Sequence, residues 1–294
     1  MKVNKNTNIS LIQVSGDDAV DLLNNILTND VSKVTSKNSI YSCLLSPQGK
    51  LIADLILCHF KGNIIIISYS GFTAEIIKTL NIYKLRSKVI IDEVTNNLQY
   101  YFIDYENLIT SLDQNELFKG NTFVFSNSTL LVDPRVNLLG GHVISDDNTI
   151  GNHDYEITQE EIVDCYFKNG VVPSYILKDM NKVYPLEANI HLLNGIDFKK
   201  GCYVGQEVTA RMKLKNKIPK IIFPLISDRS TNNEIESEDL FGNDAVIGKI
   251  IAKKEIYYFA LVEVRKLPIG GIKEIKLTSD HCNFTINNQP WFTY

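Results

Sequence analysis

The chain has 294 residues, 44% of them hydrophobic, and a formal net charge of −4. This length predicts a sizeable core and about two domains, while the acidic balance argues against general electrostatic capture of nucleic acid. The longest aliphatic run, Ile64 to Ile67, is far too short to cross a bilayer, so no membrane association is expected. The polar first eight residues show neither a signal core nor an Arg-rich transit pattern, which predicts a cytoplasmic protein of bacterial type or a processed mature form.

The cysteine pattern argues against a disulfide framework, because five cysteines at wide and irregular spacings cannot all pair. They are Cys43, Cys58, Cys165, Cys202 and Cys282. The chain contains no Cys-x-x-Cys and no His-x-x-x-His spacing, so a complete metal site within it is not expected. Any metal would need ligands from another molecule.

The first third of the chain predicts a strand, a helix and then an antiparallel meander. The helix should start at Ser15-Gly-Asp-Asp18, with Ser15 as N-cap, and end near Thr28 to Asp30. A Pro-Gln-Gly turn and a Gly-Asn turn separate the three strands of the meander. The predicted strands are Ile9–Val14, Ile40–Leu45, Leu51–Cys58 and Ile64–Tyr69.

The remaining pattern predicts alternating helices and strands, followed by a small β domain. A helix at Thr158–Lys168 has a capping box and a glycine stop, and another is expected at Thr73–Leu85. The polar stretch Ser227–Asp239 predicts a loop. The predicted strands are Val89–Val94, Tyr100–Asp104, Thr122–Phe125, Leu130–Val132, Ile221–Ile226, Ala245–Ala252, Tyr257–Val264 and Ile272–Leu277.

The segment around Cys202 carries the clearest chemical signal. Lys199 and Lys200 precede the thiol, and a helix is expected to begin around Gly205 to Glu207; both features stabilise a thiolate. Tyr203 offers a ring that could stack on a flat ligand. The alternative is that Cys202 is an ordinary buried residue beside solvated lysines, which is the commoner situation for cysteine.

Two further features each admit two interpretations. A local basic excess could receive an anionic tail such as a glutamyl chain, or RNA, or could be a solvated surface. Its members are Lys199, Lys200, Arg211, Lys213, Lys215, Lys217 and Lys220. Glu187, in an apolar setting, is suited to reading the N–H edge of a pterin but could equally be a surface acid.

The run Lys200-Gly-Cys-Tyr-Val-Gly-Gln-Glu207 closely resembles the signature of the YgfZ family of folate-binding proteins, relatives of the glycine-cleavage T-protein. Further blocks that resemble the family are Asn25–Val31, Leu45–Asp54, Asp133-Pro-Arg135 and Leu186–Asn189. The resemblance implies an α+β fold in which three subdomains form a GcvT-like ring around a central folate channel. It also implies a folate-binding region at residues 1–215 and a C-terminal β-barrel at 218–294.

The resemblance further implies a tetrahydrofolate-binding accessory factor for iron–sulfur cluster assembly or repair, serving radical enzymes that thiolate tRNA. Cys202, assisted by Lys200, would be the central thiol and a ligand of a transient cluster shared with a partner. Glu187 matches the glutamate that holds the pterin, and Asp54, Tyr203 and Arg211 are expected to complete the folate site. The expected partners are iron–sulfur assembly or client proteins and a reduced folate, whereas tRNA contact is compatible with the basic stretch but not required.

Two alternatives stand beside this interpretation. The first is a folate-dependent aminomethyl or one-carbon transferase, although T-proteins carry two adjacent acids where this chain has Ala53-Asp54. Loss of one acid weakens the case for proton transfer during such a reaction. The second is a redox-sensing thiol protein with a vestigial folate pocket, which requires a reactive Cys202.

Overall fold

The computed structural model describes residues 8–113, 117–146, 157–180, 183–215, 217–229, 238–267, 276–279 and 282–293. These residues form two open antiparallel sheets, one closed barrel and six α-helices. The helices are α1 (Ala19–Ile26), α2 (Thr73–Lys84), α3 (Tyr105–Leu112), α4 (Gln159–Lys168), α5 (Ser174–Asp179) and α6 (Gln206–Leu214). None of the helices within these residues is long and apolar enough to span a membrane.

The first sheet separates two hydrophobic cores, and its sequence shows why. Alternate residues of a strand point to opposite faces, so an unbroken apolar run such as Ile64 to Ile67 serves both cores. Helices α1 and α2 cover one face, and the central core of the molecule covers the other. The spatial order is β2-β3-β4-β1-β5, for β1 (Ile9–Ser15), β2 (Ile40–Leu45), β3 (Leu51–Phe60), β4 (Asn63–Tyr69) and β5 (Ile90–Glu93). The predicted meander is β2-β3-β4 and is confirmed.

The second sheet and the barrel complete the expected α+β architecture. The four-stranded sheet has the order β6-β9-β8-β7, for β6 (Gln99–Ile103), β7 (Thr122–Val124), β8 (Ser128–Val132) and β9 (Gly141–Ser145). The barrel closes in the order β10-β13-β12-β11-β14-β15, for β10 (Lys220–Ser227), β11 (Asp239–Gly242), β12 (Ala245–Lys254), β13 (Tyr257–Glu263), β14 (Leu277–Ser279) and β15 (Cys282–Ile286). The predicted C-terminal β-barrel is confirmed; the domain division at residues 1–215 and 218–294 stays a prediction.

Some predicted boundaries are wrong for identifiable reasons. Ser15 is not an N-cap, because it ends β1 and the helix begins only at Ala19. The chain turns at Gly16, and the Asp18 carboxylate accepts the Lys88 N–H at 2.7 Å instead of capping the helix. The capping box of α4 is confirmed, with the Glu161 N–H donating to the Thr158 hydroxyl at 3.1 Å. Most of the predicted loop at 227–239 and of the predicted strand at 272–277 lies outside the described residues.

A buried ionic network ties the second sheet to the centre of the molecule. Arg135 donates to both carboxylate oxygens of Asp133, at 3.0 and 2.7 Å, and to the Tyr166 hydroxyl at 2.7 Å. His142 contacts the same carboxylate at 3.0 Å through Nε2, and its Nδ1 lies 2.6 Å from the Tyr100 hydroxyl. Burial alone would raise the pKa of Asp133, but Arg135 and His142 outweigh it and hold that pKa well below its usual range. The Asp133 carboxylate is therefore buried in its charged form, and the fold needs all of these partners to stabilise that charge.

We predict that Arg135→Met destabilises the fold by about 3–5 kcal/mol, because it leaves the Asp133 carboxylate buried without its cation. Arg211→Met is the matched control, since Arg211 is exposed and pairs only with exposed Glu207. That control should change the free energy of unfolding by about 0.5 kcal/mol or less. Chemical denaturation of both variants checks this, and similar losses for the two would contradict it.

Candidate functional site

The Cys202 loop, which we define as residues 194–205, is fastened to the end of α1. The Asp197 N–H donates to the Thr28 carbonyl at 3.0 Å, and the Val204 N–H donates to the Asn25 carbonyl at 3.2 Å. The Thr28 hydroxyl donates to the Gly195 carbonyl at 2.6 Å. These bonds join segments about 170 residues apart in the chain, so the loop is held by tertiary contacts at both of its ends.

Lys200 holds the middle of the loop. Its ammonium donates to three backbone carbonyls at the C-terminal end of α1, where a helix presents unsatisfied acceptors and a partial negative charge. The acceptors are those of Asn24 at 2.6 Å, Leu27 at 2.8 Å and Asn29 at 3.0 Å. Burial lowers the pKa of Lys200 to about 8, and the nearby carboxylates of Asp30 and Asp197 oppose this shift. Since an ammonium has three donors, all are used here, and the geometry gives Lys200 a structural task.

Cys202 lies exposed on this anchored loop as a free cysteine. The other four cysteines are buried or partly buried, and burial raises the pKa of the Cys43 and Cys58 thiols to about 12. All five lie within the described residues, so Cys202 is the accessible thiol among them. The interpretation of Cys202 as an ordinary buried cysteine is therefore wrong.

Tyr203 points into the protein interior. It is 7% exposed and belongs to the central hydrophobic core, and the Lys200 ammonium lies 5.3 Å from its ring centroid. Burial raises the pKa of its hydroxyl. The loop thus turns one residue to solvent and the next into the core; the expected contact of Tyr203 with folate stays a prediction.

Helix α6 begins directly after the loop, as the sequence predicts, and its first turn packs on the β2–β3 turn. Gly205 has a φ of 79°, and a Cβ there would lie 2.6 Å from the Ser46 carbonyl oxygen. Gly49, in the facing turn, has a φ of 75°, and a Cβ there would lie 2.8 Å from the Val208 side chain. Only glycine permits both these conformations and this approach, which fixes the loop against the strand pair that carries Asp54.

Asp54 lies on β3 and is 3% exposed. Its Oδ2 accepts the hydroxyls of Tyr41 at 3.1 Å and Ser174 at 2.9 Å. Its Oδ1 is buried and has no hydrogen-bond partner among the described residues. Burial raises the pKa of Asp54, whereas the guanidinium of Arg135 and the two hydroxyls oppose the rise. A buried carboxyl with one oxygen left open is able to accept N–H groups from a ligand.

Glu187 lies in a segment that joins the first sheet to the barrel. Its Oε2 accepts the Tyr184 N–H at 2.8 Å, and its backbone carbonyl accepts the Ile222 N–H of β10 at 2.9 Å. Burial raises the pKa of Glu187, while that N–H and the charges of Lys50 and Lys220 oppose the rise. At 7% exposed it is not a surface acid, so that alternative is wrong.

The six predicted site residues come from four parts of the chain. Cys202, Lys200 and Tyr203 share the loop, and Asp54 and Glu187 are buried carboxyl groups on two segments joined by a bond from the Leu51 N–H to the Val183 carbonyl at 2.9 Å. Arg211 is exposed and pairs with Glu207 at 2.5 Å. The role of each in catalysis or binding stays a prediction.

An aromatic cavity of about 300 Å³ was not anticipated from the sequence. Tyr69, Tyr100, Tyr166 and Tyr175 contribute to its walls, as does Ser174, the partner of Asp54. None of the six predicted site residues lines it. Its aromatic residues come from distant segments of the chain, so no local sequence pattern predicts the cavity. The one sequence feature linked to it is the Asp133-Pro-Arg135 run, because Arg135 donates to the hydroxyl of Tyr166 in the cavity wall.

Within the described ranges, no group of three or more His, Cys, Asp or Glu side chains is placed to hold a metal ion. If Cys202 is a cluster ligand, the remaining ligands must therefore come from a second molecule.

One sequence region and the fold show what the chain is similar to. Residues 3–103 match the family model described as the GCVT N-terminal domain. The structure is similar to the crystal structure of aminomethyltransferase T of the glycine cleavage system from Bartonella henselae, with a TM-score of 0.76 and 14% sequence identity. That match covers 99% of this chain and 86% of the other. The chain thus has the aminomethyltransferase-like fold that the resemblance predicted.

The sequence relatives are more specific. The chain is 28% identical over 282 residues to a mitochondrial iron–sulfur cluster assembly factor IBA57 homolog of Dictyostelium discoideum, which covers 85% of this chain and 67% of the relative. It is 30% identical to the Neurospora crassa homolog, covering 76% and 53%, and 25% identical to the Mus musculus protein, covering 74% and 63%. The chain spans between about half and two thirds of the length of these relatives. They support the aminomethyltransferase-like iron–sulfur assembly family in its broad form; YgfZ is not named by them and stays a prediction.

The predicted cytoplasmic location is wrong. The relatives are named as mitochondrial factors, which points to mitochondria. The prediction rested on the polar composition of eight residues, and such composition does not determine a compartment.

We predict that Gly205→Ala destabilises the protein by about 2 kcal/mol or more, because alanine must adopt a left-handed conformation and displace the β2–β3 turn. Gly201→Ala is the matched control in the same loop, since a Cβ there would have no neighbour within 4 Å and the φ is not positive. Chemical denaturation checks both variants. An equal effect at the two glycines would show that the turn does not hold the loop.

Proposed function

We propose that this chain is a tetrahydrofolate-binding accessory factor for iron–sulfur cluster assembly or repair, acting through Cys202 on behalf of radical enzymes that thiolate tRNA. The observation that carries the proposal is an exposed thiol on an anchored loop. The names of the relatives supply the pathway class. The tRNA-thiolating clients come from the sequence resemblance alone.

The geometry of the loop suits transfer of a cluster between proteins. A ligand held on a preorganised backbone loses little conformational entropy when a partner docks. Iron–sulfur clusters are commonly held by four protein ligands, so one exposed thiol requires the others to come from an assembly or client protein. The cluster is therefore cargo that Cys202 shares with a partner.

The buried carboxyl groups support folate binding. The pterin ring of a folate presents an amide N–H and an amino group along one edge, which match a carboxylate that has free acceptor oxygens. The open Oδ1 of Asp54 and the buried carboxyl of Glu187 are such acceptors. When bound, a reduced folate supplies a one-carbon carrier; the contribution of this chain is to orient its ring and to shield it from water.

We predict that Cys202→Ser abolishes function while leaving the fold intact. In bacteria that lack their own relative of this kind, the wild-type chain should restore methylthiolated tRNA, measured by mass spectrometry of tRNA nucleosides. The serine variant should leave it at the background level, because an alcohol is a poor ligand for iron. Cys165→Ser is the matched control, since that thiol is partly buried and burial raises its pKa to about 11.

Equal restoration by wild type and Cys202→Ser would refute the role of the thiol. The activity of an iron–sulfur dehydratase in the same cells separates the two levels of the proposal. If the wild-type chain restores that activity in a Cys202-dependent way but not tRNA methylthiolation, the assembly role stands and the tRNA-thiolating clients are wrong.

We predict that Asp54→Asn weakens tetrahydrofolate binding about tenfold, because asparagine has no negative charge and places an NH2 donor where one carboxylate oxygen accepted, either toward the ligand or toward the Tyr41 and Ser174 hydroxyls. The same variant should be at least as stable as wild type near neutral pH. The folded pKa of Asp54 is raised, so the folded state binds the extra proton between the unfolded and folded pKa values. The carboxylate therefore costs stability as pH rises through that window, and asparagine removes this cost.

Titration calorimetry measures the affinity, and thermal unfolding from neutral pH down to the ordinary pKa of a carboxyl group, about 4, measures the linkage. Wild type should gain stability relative to Asp54→Asn as the pH falls. Glu207→Gln is the control, because Glu207 is exposed on α6. Unchanged folate affinity in Asp54→Asn would exclude Asp54 from the ligand site.

A further inference from the structure

We propose that the open edge of β5 binds the same edge of a second copy of this chain, so that two first sheets join in a symmetric antiparallel pair. Strand β5 ends its sheet and pairs with β1 on one side, and the described residues place no strand on its other side. An uncovered strand edge presents N–H and C=O groups that another extended chain can use. The pairing involves neither Cys202 nor the buried carboxyl groups, so it goes beyond the proposed function.

The backbone groups that face the open edge follow from the pairing of β5 with β1. The Val94 N–H donates to the Leu11 carbonyl at 2.8 Å, and the ladder continues from there in one register. Because antiparallel strands alternate between bonded and non-bonded pairs, the backbone groups of Val89 and Ile91 point away from β1. The Val89 N–H is used in a tight turn, where it donates to the Ser87 carbonyl at 2.9 Å. The ladder to a second copy would therefore use the Ile91 N–H and the Val89 carbonyl.

The side chains along this edge are complementary to themselves. Lys88, Ile90 and Asp92 are exposed, whereas Val89 and Ile91 between them contribute to the core under α1 and α2. An antiparallel pair centred on Ile90 sets Lys88 of each copy near Asp92 of the other and brings the two Ile90 side chains together. Ile90 is 58% exposed, and Lys88 and Asp92 form no ion pair within the described part of the chain.

The charges favour this register over its neighbour. Because bonded and non-bonded pairs alternate, the next register that matches the backbone is centred on Ile91, and it sets Ile90 opposite Asp92. That register places an aliphatic side chain against a carboxylate and leaves Lys88 without a facing acid. Natural strand edges that are protected from self-pairing carry charges that repel a second copy, whereas the charges that face each other here have opposite signs.

The segment that leads into β5 adds uncovered apolar surface near the edge. Ile82 and Leu85 are 58% and 87% exposed, and they lie in and just after the last turn of α2. Helix α2 packs against β5, so a second copy on this edge would shield surface of this kind from water.

Analytical ultracentrifugation of the full chain, from about 1 µM to about 100 µM, tests the pairing. Wild type should form a reversible dimer in this range. Asp92→Lys sets lysines against each other at both ends of the pair and should weaken the dimer about tenfold. The substitution also makes the net charge of −4 less negative, which alone would favour association, so a weaker dimer reports the local contact.

The double variant Lys88→Asp with Asp92→Lys is the matched control. It exchanges the two charges across the edge, leaves the net charge unchanged and should restore the wild-type dimer. Both positions are exposed, so all three proteins should unfold at similar temperatures. Hydrogen exchange locates the contact, because the Ile91 amide should exchange more slowly in the dimer than in the monomer.

A wild-type chain that stays monomeric over the whole range would overturn the pairing. A dimer that persists unweakened in Asp92→Lys, or one that the charge exchange does not restore, would overturn it too. Slower exchange elsewhere with no change at Ile91 would assign the dimer to another surface and would also overturn it. Each of these results leaves the role of Cys202 untouched, since that role is measured by restoration of tRNA methylthiolation.

Discussion

The structure depends on hydrogen bonds to one segment, Val183 to Ile196, that forms neither a regular helix nor a strand. The Leu51 N–H of β3 donates to its first carbonyl, and the Ile222 N–H of β10 donates to the Glu187 carbonyl. Its apolar side chains, among them Leu186 and Ile190, belong to the core that receives residues from both sheets and the barrel. A segment without its own ladder must satisfy its buried backbone elsewhere, so these tertiary bonds join the first sheet to the barrel, and the shared core adds the second sheet.

The sequence predicts much of the sheets because their signals are local. Turn residues and apolar alternation located the β2-β3-β4 meander, and the capping box located α4. Helices α3 and α5 and strands β9, β11 and β15 were not predicted, because each is short and has too few turns or alternations for a period to emerge. Their conformation is set by packing in the second sheet, the central core and the barrel, which no local pattern contains.

The sequence indicated candidate site residues, but it did not predict the contacts that each of them makes. Local charge suggested that Lys200 stabilises a thiolate, whereas its three donors go to carbonyls in the last turn of α1 and just beyond its end. A partner more than 170 residues away leaves no trace in the neighbouring sequence. The same holds for Tyr203, whose ring enters the core. The exposure of Cys202 follows from this arrangement, because anchoring the residues around it turns the thiol toward solvent.

Under the proposed function, the folate site at Glu187 and the Cys202 loop are joined by one continuous backbone segment. Glu187 and Gly195 belong to the same segment, and Gly195 accepts the Thr28 hydroxyl, which lies beside the carbonyls that Lys200 holds. A ligand that changes the position of Glu187 would thus act on the Cys202 loop through packed backbone and hydrogen bonds. The coupling free energy between two sites is reciprocal. If folate binding favours one position of the Cys202 loop, a partner that holds the loop in that position would also raise the affinity for folate. If the proposed function holds, the segment from Val183 to Ile196 is the part of the chain that would carry this coupling.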